Sequence, residues 1–236
     1  MSSLFTILRR HTAQHGFTLV EMSVVLAIIG LILGAVSVGR DLQRNASYQR
    51  ISSGFVQGWA VAYDSFATGT GIVPGDTGSP SSGRVNGNGT PLCGSDLRNA
   101  FLAAGVQLPQ GRAEGAEDRY VYLDSNGNPQ EVQVCFQNVA WADAGSSSGT
   151  YVSRNRNVMV LSQLTPALAN LIDAQIDGTV DARFGRMRES SQSNAVAVTT
   201  GMPWSVDERM AFGTTTATSL DESQVAVVTG QFLMNR

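Results

Sequence analysis

One stretch decides the organisation of this chain: Gly16-Phe17-Thr18-Leu19-Val20-Glu21-Met22, followed by an apolar run to Val38. Glu21 is the only formally charged residue between Phe17 and Val38. A helix over these 22 residues would rise about 33 Å, enough to cross a bilayer core of about 30 Å. A plain membrane anchor does not need an acid one turn inside its start, because a carboxylate is costly to insert there. The stretch therefore predicts a transmembrane helix in which Glu21 has a second role.

The residues before Gly16 form a short polar segment in which Arg9 and Arg10 carry the only formal charges. An ordinary secretory signal has its apolar core before the cleavage site. Here the order is reversed, so a cut after Gly16 would leave the apolar helix on the mature protein. The two arginines would hold the leader in the cytoplasm by the positive-inside rule. We predict a removed leader over residues 1–16, a transmembrane half-helix over 17–39 and an exported head over 40–236.

The segment from Gly16 to Glu21, with the uninterrupted apolar run behind it, resembles the processing site of the type IV pilin and type II secretion pseudopilin family. The resemblance implies that a prepilin peptidase cuts after Gly16 and N-methylates Phe17. It also implies that Glu21 guides the assembly of subunits into a filament. The implied partners are the peptidase, other pilin-like subunits and an inner-membrane assembly platform. The alternative is a signal anchor that carries the same short stretch by chance.

Composition argues against catalysis and against nucleic-acid binding. The only histidines, His11 and His15, lie in the leader, and the chain has no lysine. The mature chain therefore lacks a histidine base or metal ligand, a Schiff-base lysine and a P-loop lysine. The net charge of −3 does not suggest a nucleic-acid binder. We expect a non-enzymatic chain without a cofactor, whose small arginine clusters form a solvated or subunit-facing surface: Arg154 and Arg156, and Arg183, Arg186 and Arg188.

The rest of the chain predicts an α+β fold. An apolar stripe continues the N-terminal helix to about Phe66, and it comprises Leu42, Ala46, Ile51, Phe55, Trp59, Tyr63 and Phe66. Glycine, serine, asparagine and proline residues predict turns over 69–91. A helix should span Ser95–Ala104, with Ser95 as its cap and Gly105 at its end. A second should begin at Thr165-Pro166 and stop at Gly178.

Strands are predicted from alternating or continuous apolar runs. Tyr120–Leu123 and Glu131–Phe136 should pair as a hairpin, with Val132, Val134 and Phe136 on one face. Residues 141–157 are predicted to be a polar loop, followed by a short buried strand over Val158–Leu161. Two further β-like runs, 195–199 and 225–229, flank a Thr/Ser-rich loop. With the resemblance, this pattern implies a pilin-like fold, in which a long N-terminal helix packs on a small antiparallel sheet.

Two acidic sites allow alternatives. The turn Asp124-Ser125-Asn126-Gly127-Asn128-Pro129 is predicted to join the hairpin strands. Calcium binding is the alternative, although Gly127 is misplaced for an EF-hand loop and no bidentate acid has the required spacing. Asp173 and Asp177 share a helix face as a catalytic pair would, but a solvated face with local capping is the favoured interpretation.

Cys93 and Cys135 are the two cysteines of the chain. An exported head meets oxidising conditions, so a disulfide between them is expected. Disulfides of major pilins usually close a loop near the C-terminus, whereas a long stretch follows Cys135 here. The resemblance therefore favours a minor pilin or pilin-like protein over a major fimbrial subunit.

The combined prediction is a structural subunit of a type IV pilus or of a type II secretion pseudopilus. It would begin as a single-pass prepilin of the bacterial inner membrane and end in a periplasmic or cell-surface filament. The alternative is a membrane-anchored periplasmic enzyme or binding protein with a prepilin-like anchor. An enzyme would need a deep pocket with convergent polar groups, which a filament subunit would not.

Overall fold

The computed structural model describes residues 16–205, 208 and 225–235. The predicted leader, apart from Gly16, and the Thr/Ser-rich loop near the C-terminus lie outside these residues. The chain divides into two compact units, Met1–Gln43 and Arg44–Arg236, and we call the second unit the head. The architecture is α+β, as predicted, with a long N-terminal helix followed by a small antiparallel sheet.

The N-terminal helix continues as predicted but contains one irregular segment. It comprises α1 (Leu19–Arg50), a π-helical segment (Ile51–Val56) and α2 (Gln57–Thr70). Gly71 ends it in the left-handed conformation at φ 78°, and its N–H bonds the carbonyl of Ala67 at 3.1 Å. A π-turn contains an extra residue relative to an α-turn, which the apolar periodicity does not reveal.

The predicted apolar stripe is correct from Ile51 onward and wrong before it. Leu42 is 70% exposed, and Ala46 is exposed as well. Tyr48 is the first buried apolar residue, because the sheet reaches the helix only there: the Tyr48 hydroxyl donates to the carbonyl of Leu123 at 3.2 Å. Leu42 belongs to the N-terminal unit, so it has no place in the core of the head.

Among the described residues of the head, six antiparallel strands form one sheet. The strand order is β1-β3-β4-β6-β5, with β2 pairing on β3. Two helices, α3 (Gly94–Ala103) and α4 (Pro166–Asp177), lie between strands in the sequence. The strands are β1 (Leu92–Cys93), β2 (Arg119–Leu123), β3 (Pro129–Ala144), β4 (Tyr151–Leu164), β5 (Met187–Glu189) and β6 (Val228–Leu233).

The core of the head lies between α2 and one face of the sheet. Tyr63 packs on Phe136 of β3 with 4.9 Å between ring centroids, and Trp59 contacts Phe101 of α3 edge-on at 5.5 Å. Aromatic pairs in these arrangements contribute beyond the apolar area that they bury. The predicted hairpin and its buried face are confirmed, since β2 pairs with β3 and the three predicted inward residues are fully buried: Val132, Val134 and Phe136.

Two loop and strand predictions are wrong. Residues 141–157 are mostly strand, because β3 runs to Ala144 and pairs with β4 from Tyr151 onward. We call the part of the β3–β4 hairpin within residues 141–157 the hairpin extension. Its residues are mostly exposed and lack the apolar alternation of a core strand, so the sequence pattern did not predict it. Residues 195–199 contain no strand. The other predicted run, 225–229, overlaps β6 at its last two residues, and β5 was not predicted.

The hairpin extension is held by a buried arginine. Arg188 of β5 lies under the ring of Trp141, 4.1 Å from its centroid, and donates to the carbonyls of Ala142 and Ser193 at 2.9 and 3.1 Å. Arg188 is only 7% exposed, so its predicted place on a solvated surface is wrong. Arg188 also donates to the carbonyl of Gly185 at 2.9 Å. Three carbonyls and one indole face therefore take the place of water around the guanidinium.

The helix ends follow local signals, with one exception. The Oγ1 of Thr165 accepts from Leu168 N at 3.4 Å, Pro166 opens α4, and Gly178 ends it at φ 78°. These features confirm the prediction for α4. For α3, Gly105 ends the helix as predicted, but the cap position is Cys93 and not Ser95, and no side chain caps it.

Candidate processing and assembly site

The Gly16–Phe17 peptide lies outside the helix. Gly16, Phe17 and Thr18 are non-helical, and α1 begins at Leu19. The Phe17 side chain is 80% exposed, and Gly16 is exposed as well. A peptidase needs its scissile bond in accessible, non-helical chain. The bond that the sequence predicts to be cut has both properties.

Folding does not explain the glycine at position 16. A Cβ atom placed there would meet no heavy atom within 4 Å, and the residue does not occupy the positive-φ region that favours glycine. The same freedom of space holds for Gly30 and Gly34 in the apolar run. Packing among the described residues therefore does not require glycine at these three positions.

Thr18 and Glu21 form a capping box at the start of α1. The Oε2 of Glu21 accepts from both the N–H and the hydroxyl of Thr18 at 2.8 Å, and Glu21 N donates back to Thr18 Oγ1 at 3.2 Å. This reciprocal arrangement satisfies backbone donors that a helix start leaves open. The sequence prediction overlooked the role of Thr18, although its spacing of three residues from the acid is the usual signal. The second oxygen, Oε1, has no partner among the described residues.

The helix behind the capping box is apolar and exposed. By length and composition, Leu19–Thr70 is the one helix of the described chain that could cross a membrane, and none of its most apolar window is buried. Apolar side chains in water on all sides of a helix are unfavourable. Lipid or other apolar helices would satisfy them.

The head carries the expected disulfide. Cys93 of β1 and Cys135 of β3 are directly paired across the sheet, with Cα atoms 4.5 Å apart. The bond ties the strand that precedes α3 to the central hairpin.

Asp173 is buried, so the prediction of a solvated face is wrong at this position. Its Oδ2 accepts from Trp204 Nε1 at 2.6 Å and from Asp181 N at 2.7 Å. Burial raises the pKa of Asp173 to about 7. The Oδ2 of Asp177 accepts from Arg186 N at 2.8 Å and from the next backbone N–H. The two carboxylates thus hold the segment between α4 and β5, eight to ten residues along the chain, rather than capping a helix end as predicted.

The turn after Asp124 uses the acid as a backbone acceptor. Its Oδ1 accepts from Asn126 N and Asn128 N at 2.9 and 2.8 Å, and its Oδ2 accepts from the Gln130 side chain at 3.0 Å. This arrangement closes the β2–β3 turn. Among the described residues, no cluster of three or more acidic, histidine or cysteine side chains could hold a metal ion. Calcium binding stays a hypothesis.

The concave surfaces on the described part of the head include a groove and a polar cavity. A groove of about 800 Å³ runs between α2 and the segment after α3, where glycine, serine, glutamine and aliphatic side chains line it and none of the described lining residues titrates. A second cavity, of about 310 Å³, is polar and includes Arg84 and Arg156. Neither brings together an acid and a base in the described part of the chain.

Comparison with known proteins identifies the N-terminal segment. The family description "prokaryotic N-terminal methylation motif" matches residues 11–37. No curated protein and no solved structure matches the chain. The match covers Gly16, Phe17 and Glu21, and it ends one residue short of Val38, the last residue of the apolar run. The chain thus carries the N-terminal methylation motif that is the signature of type IV pilins and pseudopilins.

Proposed function

We propose that this chain is the precursor of a structural filament subunit, in a type IV pilus or a type II secretion pseudopilus. A prepilin peptidase cuts the Gly16–Phe17 bond and N-methylates Phe17. The mature chain then joins a filament through its apolar helix. One observation carries this proposal: the exposed, non-helical Gly16–Phe17 peptide stands directly before a capped helix whose most apolar window is entirely unburied.

The proposed location follows from the same segment. The precursor spans the bacterial inner membrane once, with the leader in the cytoplasm and the head in the periplasm. The periplasm is oxidising, which favours formation of the Cys93–Cys135 disulfide. An assembly platform in the inner membrane moves the subunit into the filament. Gly30 and Gly34 leave a small surface on which helices of neighbouring subunits can approach closely.

Glu21 has the chemistry to link subunits. Cleavage creates a positively charged α-amine on Phe17, and methylation does not remove the charge. An unpaired charge in apolar surroundings is costly, and Glu21 is the only acid between Phe17 and Arg40. Its Oε2 is engaged in its own cap. The Oε1, which has no partner among the described residues, can accept from the amine of a neighbouring subunit, and this contact would set the axial register between subunits.

Processing is tested in cells that contain the cognate peptidase. Mass spectrometry of the wild-type chain should show a mature N-terminus at a methylated Phe17. Gly16→Val should leave the precursor uncut. Gly39→Val is the matched control, because a Cβ atom at position 39 also meets nothing within 4 Å, and this variant should be cut normally.

An uncut wild-type chain, or a mature chain that starts after Val38, would overturn the proposal. The first result would indicate an anchored periplasmic protein with a prepilin-like segment. The second would indicate an ordinary signal peptide.

A further inference from the structure

Strand β4 is paired on both sides along only part of its length. β3 pairs with it from Tyr151 to Ser162, whereas β6 pairs with it only from Val158 onward. The last bond on the β6 side is from Met234 N to Asn157 O, at 3.0 Å. Among the described residues, no backbone group bonds the outer edge of β4 from Tyr151 to Arg156. We call this segment the open edge.

Hydrogen bonds on β3 show which groups of the open edge point outward. Ala142 lies opposite Ser153. Ala142 N donates to Ser193 O at 2.9 Å, and Ala142 O accepts from Arg188, so both groups point away from β4. Directly opposed residues in an antiparallel ladder share this orientation. The N–H and C=O of Ser153 therefore point away from β3.

The alternation extends this result along the strand. Residues two apart have the same orientation, so Tyr151 and Asn155 also direct their backbone groups outward. Asn157 continues the series, and its carbonyl does bond outward, to Met234. The open edge thus offers three N–H donors and three carbonyl acceptors in the spacing of a β-ladder.

The surroundings of the open edge are positively charged. The polar cavity of about 310 Å³ lies where β6 ends, between Arg84, Arg156 and Asn155. Arg156 pairs with Asp143 at 2.6 Å. Arg84 and Arg154 are exposed, and neither guanidinium has an acidic partner among the described residues. Of these three arginines, Arg156 alone forms an ion pair with an acid among the described residues, in a chain whose net charge is −3.

We propose that the open edge binds an extended, acidic segment of another polypeptide, which adds a strand beside β4 and places a carboxylate in the cavity near Arg84. Strand addition at an exposed edge is a common mode of peptide recognition. The alternating donors and acceptors match a peptide backbone, whereas the sugar-phosphate backbone of DNA supplies acceptors only. The proposal concerns the head alone and does not depend on the processing of Gly16.

The same charges make pairing with a second open edge unfavourable. Two copies would bring Arg154 and Arg156 of each chain close together, and like charges across a strand pair are destabilising. Charged residues on edge strands are a common defence against self-association. The open edge therefore favours a partner that carries carboxylates over a second copy of itself.

The test uses the full-length chain in detergent micelles and a fluorescent hexapeptide, acetyl-Glu-Val-Glu-Thr-Glu-Val-amide. This peptide should bind at least tenfold more tightly than a counterpart with lysine in place of each glutamate. Amide hydrogen exchange should slow at least tenfold at Ser153 and Asn155 when the acidic peptide is present. The amides of Val152 and Arg154 should not change, because they already face β3.

Variants separate the contributions of backbone and charge. Ser153→Pro removes one outward N–H and should raise the Kd at least tenfold, whereas Ser153→Ala keeps that N–H and should bind normally. Arg84→Ala should raise the Kd at least fivefold. Arg50→Ala is its control, since Arg50 is exposed at the end of α1, outside the open edge. If Ser153→Pro fails to fold, the exchange pattern of the wild-type chain decides.

Three results would overturn the proposal. These are equal binding of the acidic and lysine peptides, no difference in protection between odd and even residues of the open edge, and equal binding of a single-stranded oligonucleotide of the same charge. The last would indicate a general anion surface without strand addition.

Discussion

The capping box allows the two roles of Glu21 to be tested separately. Glu21→Gln keeps an oxygen that can accept from the Thr18 N–H and hydroxyl, because glutamine serves at this helix position as glutamate does. It removes only the charge. Thr18→Ala removes the hydroxyl of the cap and leaves the charge of Glu21 in place. Each variant therefore removes one part of the interactions of Glu21, either its charge or its cap contact, whereas Glu21→Ala would remove both.

The two losses have different consequences for assembly. Loss of a threonine cap costs about 0.5–2 kcal/mol of helix stability. That contact lies within one chain. We expect it to persist in the assembled subunit and therefore to cancel from the free energy of incorporation. Removing one partner of a buried, hydrogen-bonded charge pair between chains costs about 2–5 kcal/mol. The smaller value already corresponds to a decrease in incorporation of about 30-fold.

Competition between subunits gives the most direct measurement. A variant and the wild-type chain are expressed together at equal levels, and mass spectrometry quantifies both in membranes and in sheared filaments. Both variants should be inserted and cut. Glu21→Gln should be depleted from filaments by about 30-fold or more, and Thr18→Ala by less than about threefold. Ser23→Ala is the control, because the Ser23 hydroxyl bonds only its own helix, at Val20 O.

Two outcomes would refute the reasoning. Normal incorporation of Glu21→Gln would show that the charge has no role between subunits. Equal depletion of Thr18→Ala and Glu21→Gln would show that Glu21 acts through the start of its own helix. In either case the proposed contact between Oε1 and a neighbouring amine would be wrong.

Two predictions concern the stability of the head. Cys93→Ser opens a loop between residues 42 apart in sequence, which should lower the free energy of unfolding by about 4 kcal/mol and the Tm by about 10 °C. In calorimetry the variant should melt at the Tm of the reduced wild-type chain, and a change of under about 2 °C would contradict the prediction. Burial raises the pKa of Asp173 from 3.8 to about 7. At pH values between these two, the Asp173 carboxyl holds a proton in the folded chain that it has lost in the unfolded chain. The free energy of unfolding should therefore fall as the pH rises from about 4 to about 7. Urea titrations at several pH values should show this slope in the wild-type chain and a flatter one in Asp173→Asn, and identical slopes would refute the assignment.

Features set by neighbouring residues could be predicted from the sequence. The stretch from Gly16 to Val38 specifies an apolar helix with an acid near its start, whatever the head contains. Thr165-Pro166 and Gly178 mark the ends of α4, and Asp124 marks the β2–β3 turn. Each is a contact over a few residues, so its energy depends little on the rest of the fold. The pairing of Cys93 with Cys135 followed because they are the two cysteines of the chain.

Features that depend on distant pairing could not be predicted in this way. The polar residues of the hairpin extension predicted a loop, yet the β3–β4 ladder orders them. Arg188 resembled a surface cation, and Asp173 a solvated helix residue. The structure buries both, because Trp141 and Trp204 supply their partners.

The sequence by itself therefore determined the long apolar helix, the methylation motif at its start and the two ends of α4, since these depend on local spacing. The tertiary structure alone decided which polar groups are buried and where the outer edge of β4 has no backbone partner among the described residues. Burial and strand pairing depend on residues tens of positions away, such as Trp141 for Arg188 and Met234 for Asn157. Local periodicity carries no information about which distant strand supplies the partner.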